Sequence, residues 1–215
     1  MATLSGISSE AELRQLIGSP QELVVSKISN RLNDLTRQFI ERSPFMCLAT
    51  AAPDGSCDVS PRGDPAGFVR ILDDRTLLIP DRPGNRIADS LRNILANPHV
   101  GLLFMIPGIG DTFRVNGRAT LVTDEELLAG SAIEGKAPAL GILVHVHEAY
   151  TQCPKALIRS DLWNPDQQID RSALPSSGEI LRAVREEEAF DADEYDRARA
   201  ERYARREGLT AHHVA

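Results

Sequence analysis

The sequence predicts a mainly β fold of the α+β class, a small antiparallel barrel with helices at both ends. Three observations carry that expectation. Short apolar or alternating segments recur at hairpin spacing with few helices between them. The one helix expected among them, over 85–97, does not set up a βαβ alternation, so a Rossmann sheet is not expected. The segment 112–122 alternates cleanly, with Phe113, Val115, Ala119 and Leu121 on one face and Thr112, Arg114, Asn116, Arg118 and Thr120 on the other.

In chain order, Ser9-x-x-Glu12 and Ser19-Pro20-Gln21-Glu22 fit capping boxes, the second with proline at the first helical position. They predict two N-terminal helices, one of them long. Val24, Ile28, Leu32, Leu35 and Phe39 fall on one stripe of the long helix, expected to pack on the body of the domain. A strand is expected over 45–50, a hairpin turn at Pro53-Asp54-Gly55 and a return strand from Cys57 to Ser60. Two more strands, 68–72 and 76–79, join at Asp73-Asp74. The helix 85–97 turns Ile87, Leu91, Ile94 and Leu95 inward and stops at Pro98. A continuous apolar strand follows over 100–106, then the alternating strand, a short helix over 124–132 and a strand over 140–150. After Pro175 the chain reads as a charged helix pair. The expected organisation is a helical extension over 1–42 packed on the barrel, the barrel itself over 43–165, and a C-terminal helical extension over 166–215.

The 215 residues carry a net charge of −7, which argues against a general nucleic-acid binder. Lys27, Lys136 and Lys155 are the only lysines, so nearly all cationic chemistry rests on arginine. Cys47, Cys57 and Cys153 form no C-x-x-C pair and no disulfide framework. No secretory signal and no apolar run long enough to span a bilayer is read, so a cytoplasmic protein away from membranes is expected.

The chemistry concentrates in 55–122. The apolar strand ending at Ile79 runs into a tight turn, Pro80 to Gly84, and a helix is expected to open at Asn85-Arg86. Free N–H groups and the helix dipole make such a start a cradle for phosphate, and hence for a phosphate-bearing cofactor. A cation in a first helical turn opposes the dipole, which gives Arg86 a functional reading; the other reading pairs it with Asp81 or Asp89. Arg62 lies in S-P-R-G-D, and Arg114 on the polar strand face is either a phosphate partner or a solvated cross-strand partner. His145 and His147 share a strand face, but no third ligand is evident, so no metal is expected. Cys153-Pro154-Lys155 reads as a turn bringing Lys155 toward a cofactor edge, against the alternative of a reactive thiolate.

The motifs S-P-R-G-D (60–64), L-L-I-P-D-R-P-G-N-R (77–86), R-V-N-G-R-A (114–119) and C-P-K-A (153–156) resemble those of the pyridoxamine 5′-phosphate oxidase-related proteins, in their FMN-dependent subgroup. The resemblance covers about 40–165. It implies a six-stranded antiparallel split β-barrel of the FMN-binding type. It also implies a homodimer with FMN at the subunit interface and residues from both chains at each site. Carried over residue by residue, Ile79, Pro80, Asp81, Asn85 and Arg86 grip the phosphate and ribityl chain. Ser60, Pro61 and Arg62 line the flavin. Phe113 and Arg114 come from the neighbouring subunit, and Lys155 or Arg62 makes up for a missing cation. The family's oxidases carry S-R-K where this chain has Gly84-Asn85-Arg86, and their C-terminal substrate signature is absent after Trp163. The expected function is therefore an FMN-dependent oxidoreductase of unknown substrate, working with NAD(P)H or a small molecule. The alternatives are a non-catalytic flavin-binding or redox-sensing protein, or the same barrel using haem or a deazaflavin. No residue is singled out as acid or base.

Overall fold

Seven strands pair in one antiparallel sheet, in the order β2-β1-β5-β6-β7-β4-β3, where six were expected. The computed structural model describes residues 6–185 and 190–207. Its strands are β1 (Phe45–Ala51), β2 (Cys57–Gly63), β3 (Arg70–Ile71), β4 (Thr76–Asp81), β5 (His99–Met105), β6 (Thr112–Val122) and β7 (Leu140–Gln152). The helices are α1 (Glu10–Ile17), α2 (Glu22–Ser26), α3 (Asp34–Arg42), α4 (Asp89–Ala96), α5 (Glu125–Ala129), α6 (Lys155–Ser160), α7 (Ser177–Arg185) and α8 (Ala192–Glu207). Two units divide the chain, Met1–Trp163 and Asn164–Ala215. The second holds α7 and α8, the charged helix pair expected after Pro175. No helix among the described residues is long and apolar enough to cross a membrane.

The sheet's two faces follow from its register. Met46 pairs with Arg62 on one side and Phe104 on the other, and Phe104 pairs with Phe113. Paired residues in an antiparallel sheet point the same way. That inner face carries the core: Met46, Leu48, Leu102, Phe104, Phe113, Val115 and Val144 are buried. Phe39 of α3 stacks on Phe113 with ring centroids 5.6 Å apart. The alternation read in 112–122 is thus real, with Phe113, Val115 and Ala119 inward.

The long N-terminal helix is not formed. The chain leaves α2 after Ser26, and Ser29 instead exchanges backbone hydrogen bonds with Ala149 of β7 at 3.1 and 2.7 Å. The Leu32 amide donates to the Asp74 carbonyl at 2.7 Å. Asn33 then starts a new helix: its Oδ1 accepts from the amides of Leu35 and Thr36 at 3.0 Å, and Thr36 Oγ1 accepts from the Asn33 amide at 2.9 Å. This reciprocal cap outcompetes continuation from α2. The expected stripe divides accordingly. Leu32 is buried and Phe39 packs on the core, while Val24, Ile28 and Leu35 are exposed. Asn33→Ala is expected to cost about 1 kcal/mol, the usual value of an N-cap, measurable by urea denaturation.

The central helix also starts later than expected. Arg86 and Ala88 have φ of 65° and 60°, in the left-handed region that non-glycine residues rarely adopt. These two residues break the helical run, so α4 begins at Asp89 and Arg86 lies outside its first turn. Ile94 is buried and Leu91 packs on the core, but Ile87 and Leu95 are exposed rather than inward.

Candidate functional site

Strand β2 is an end strand of the sheet, and its free edge is bordered by the segment between β4 and α4. Side chains strap that segment to β2 at both ends. At one end, Arg62 Nη1 lies 2.6 Å from Asp81 Oδ1, and Arg82 Nε lies 2.7 Å from Asp64 Oδ2. Arg82 also donates to the Ser131 carbonyl at 2.9 Å. At the other end, Ser90 Oγ of α4 donates to Asp58 Oδ2 at 2.6 Å, and Asn93 Nδ2 of α4 donates to Thr50 Oγ1 of the adjoining strand β1 at 3.0 Å. No backbone pairing joins β2 to β4 among the described residues, so these ion pairs bring the sheet's separate parts together.

Between the straps lie Ser60, half-buried, Pro61, exposed on an edge strand where a missing N–H costs no ladder bond, and the loop 82–88. Asn85 Oδ1 accepts from the Ile87 amide at 3.0 Å, a turn that shapes the loop around Arg86. The two carboxylates the sequence offers to Arg86 are engaged elsewhere. Asp81 is held by Arg62, and Asp89 lies 3.6 Å from Arg92. Arg86 is exposed. On β2, the buried Arg62 Nε finds no hydrogen-bond partner.

The structure therefore brings Ser60, Pro61, Arg62, Asp81, Asn85 and Arg86 to one edge and loop, while Ile79 and Pro80 are buried in β4. It does not bring the remaining three candidates there. The Phe113 side chain is in the core, fully buried, which leaves only its backbone to a ligand. Arg114, one residue on, points to the outer face, where its Nη1 donates to Tyr150 Oη at 3.1 Å. Lys155 opens α6 beyond the end of β7 and is exposed.

Sequence reasoning missed Arg82 and the Asp58–Ser90 bond. The first had a signal: Arg62-x-Asp64 and Asp81-Arg82 carry opposite charges in an order that lets them pair twice. The Arg62–Asp81 pair is mostly shielded, with side-chain exposures of 18% and 20%. Asp81→Ala is expected to cost about 2 kcal/mol, between a surface pair and a fully buried one, because it strands the guanidinium. Thermal denaturation checks this, and a double replacement, Arg62→Met with Asp81→Leu, is expected to recover most of the loss.

The outer face has a different character. A shallow concavity of about 590 Å³ is floored by Ala49, Ala51 and Gly101 and bordered by His99, Asn116, His147 and Glu148. A register shift at Asn116/Gly117 turns both His147 and Glu148 outward. Asn116 Nδ2 donates to Glu148 Oε2 at 2.8 Å, and Arg118 Nη1 donates to His99 Nε2 at 3.1 Å. The His145 and His147 rings meet edge to face at 5.7 Å. Among the described residues no group of three or more His, Cys, Asp or Glu side chains gathers that could hold a metal ion. Trp163 donates its indole N–H to the Ile109 carbonyl at 2.9 Å, which fixes it against the turn after β5.

Comparison with known proteins places these elements in context. The family model described as pyridoxamine 5′-phosphate oxidase matches residues 32–153. None of the curated proteins matches. Among solved structures, the chain is similar to HupZ of Group A Streptococcus, with 17% identity over 57% of this chain and 94% of that one, at a TM-score of 0.47. It is also similar to an FMN-binding protein of Syntrophomonas wolfei, with 11% identity over 54% and 88% of the two chains, at a TM-score of 0.39. A third likeness is to an F420 reductase, with 21% identity over 56% and 98%, at a TM-score of 0.38.

Proposed function

Because the chain belongs to the pyridoxamine 5′-phosphate oxidase family, we propose that it binds FMN and catalyses an FMN-dependent oxidoreduction in the cytoplasm. The fold is read as that family's split barrel, and the working unit as a homodimer with FMN at the subunit interface. The observation that carries the reading is Arg86, an exposed cation in a strained left-handed conformation, with the two carboxylates close to it in sequence, Asp81 and Asp89, set against other arginines. Backbone strain at an exposed position needs a reason, and a cation held ready for an anionic ligand supplies one.

The residues present fit such a ligand. Arg62 and Arg82 are paired with Asp81 and Asp64, while Arg86 is exposed in the loop beside them in sequence. The buried Arg62 Nε is a donor awaiting an acceptor, and an unpaired buried donor is costly unless something satisfies it. Arg86 and the Asn85 turn would hold the phosphate; Ser60 and Arg62 would border the flavin. Arg114 lies on the opposite face of its own sheet, so it serves this edge only from a second subunit, and Lys155, exposed at the start of α6, is kept as the compensating cation at the cofactor's edge. FMN would supply the redox chemistry, exchanging hydride with NAD(P)H or a small-molecule substrate.

The test is to load the protein with FMN and mix it anaerobically with NADH or NADPH and, in parallel, with dithionite as a positive control. Bleaching of the flavin absorption by a nicotinamide at a rate well above that of free FMN supports the enzyme reading. Bleaching by dithionite alone contradicts nicotinamide-driven turnover and favours a flavin-binding protein without that activity.

A further inference from the structure

Ahead of its root at Ser29, the N-terminal arm buries no side chain against its own chain. No residue of 6–31 is buried, and α1 and α2 contribute no side chain to a core. Yet the arm is well specified. Ser9 caps α1 by accepting from the Glu12 amide at 3.2 Å, and Glu12 Oε2 accepts from the Ser8 amide at 2.8 Å. Leu13, Leu16 and Ile17 follow the helical i, i+3, i+4 spacing, so they make one apolar stripe on α1. Leu23, Val24, Val25 and Ile28 continue the apolar surface, and all seven are exposed.

We propose that this arm is an exchanged element: it crosses from one subunit to cover the outer sheet face of a second copy of the chain. The proposal rests on the homodimer reading above. Three features point to a second copy. The arm exposes on the order of 700 Å² of apolar surface, close to the roughly 800 Å² per partner that a stable interface buries. The outer sheet face is a second uncovered surface, with Val59 64% exposed and Cys57 and Pro61 exposed beside small Ala49 and Gly101. Both surfaces stay open in the same chain, so the arm does not cover its own sheet. Finally, the arm is rooted at the right place. Ser29 bonds to Ala149, whose neighbours Glu148 and Tyr150 are turned to the outer face. From that root the two helices and their linker reach about 30 Å, enough to cross a neighbouring sheet.

The experiment compares the full chain with a Leu16→Glu, Ile17→Glu, Leu23→Glu variant by sedimentation equilibrium. These side chains are 63–79% exposed in the chain, so the variant keeps its fold, verified by circular dichroism. The expected result is a dimer for the parent chain and a dissociation constant raised at least ~100-fold for the variant. A variant dimer of unchanged affinity overturns the exchanged arm while leaving the dimer intact. A parent chain that stays monomeric at all concentrations overturns the dimer reading itself. A second measurement does not depend on variant stability. Benzoylphenylalanine in place of Leu16 is photoactivated in a mixture of ¹⁵N-labelled and unlabelled chains. Adducts joining the two isotopes to the strand β1 or β2 are expected, and adducts confined to single chains overturn the proposal.

Discussion

Arg86→Ala is expected to weaken FMN binding at least ~10-fold and to leave riboflavin binding essentially unchanged. The physical argument is differential. A charge-assisted hydrogen bond to a phosphate is worth roughly 1.5–3 kcal/mol, and riboflavin lacks the phosphate. Stability should move little, because Arg86 is exposed, its side chain contributes nothing to the core, and alanine inherits the same left-handed backbone cost. Arg86→Gly is the companion variant: it relieves the backbone strain while removing the same charge. It should therefore lose FMN affinity as much as alanine does while gaining slightly in stability. Flavin fluorescence titrations with both ligands read the effect. Equal weakening of FMN and riboflavin would mean that Arg86 shapes the loop rather than holding the phosphate.

The second large effect concerns the register shift in the long hairpin. At Gly117 an added Cβ would sit 2.2 Å from the His145 carbonyl oxygen and 3.1 Å from its carbon. These are backbone atoms, so no side chain can swing aside. Gly117→Ala must push β6 from β7 at the point where the shift turns His147 and Glu148 outward. The expected cost is about 3 kcal/mol, at the upper end of ordinary overpacking, because the strain falls on a ladder rather than on rotamers. A lowering of the midpoint by roughly 6–12 °C follows for a chain of this size. Gly101→Ala makes the control. Its nearest atom would be Asn116 Oδ1 at 3.5 Å, an ordinary contact, so it should cost far less. Calorimetry on the two variants separates them; similar midpoints would show that the hairpin yields more easily than its geometry implies.

Much of the fold was legible because it rests on periodicity. The alternation of 112–122 fixed which side chains of β6 face the core, and the Asp54-Gly55 turn marked the hairpin between β1 and β2. The boundaries that misled were decided by single residues. Ser19-Pro20 announces a helix, but nothing in the stripe through Val24, Ile28 and Leu32 reveals that Ser29 will pair with a strand 120 positions later. The cap at Asn33 was visible in principle, since Asn-x-x-Thr is a capping signal, and a stripe that crosses a cap should be divided there. The late start of α4 was not visible. Positive φ at Arg86 and Ala88 opposes the propensity of both residues, so nothing in the local sequence announces it.

The candidate site was legible as a set of motifs but not as a geometry. The S-P-R-G-D and P-D-R-P-G-N-R segments were singled out separately, and the structure joins them through two ion pairs that local sequence could only suggest. Arg114 was read correctly as outward on its strand. That the same orientation puts it on the face opposite Arg62 follows only from the register across four strands.

The central claim, FMN at the edge formed by β2 and the loop before α4, is tested most directly on the purified protein itself. Its absorption spectrum is recorded, the chain is denatured, any released ligand is identified by chromatography, and ligand-free protein is titrated with FMN. The account predicts a flavin spectrum or saturable uptake of added FMN, with FMN as the released species. A colourless protein that fails to take up FMN would contradict it, and would leave the family relationship as a statement about fold alone.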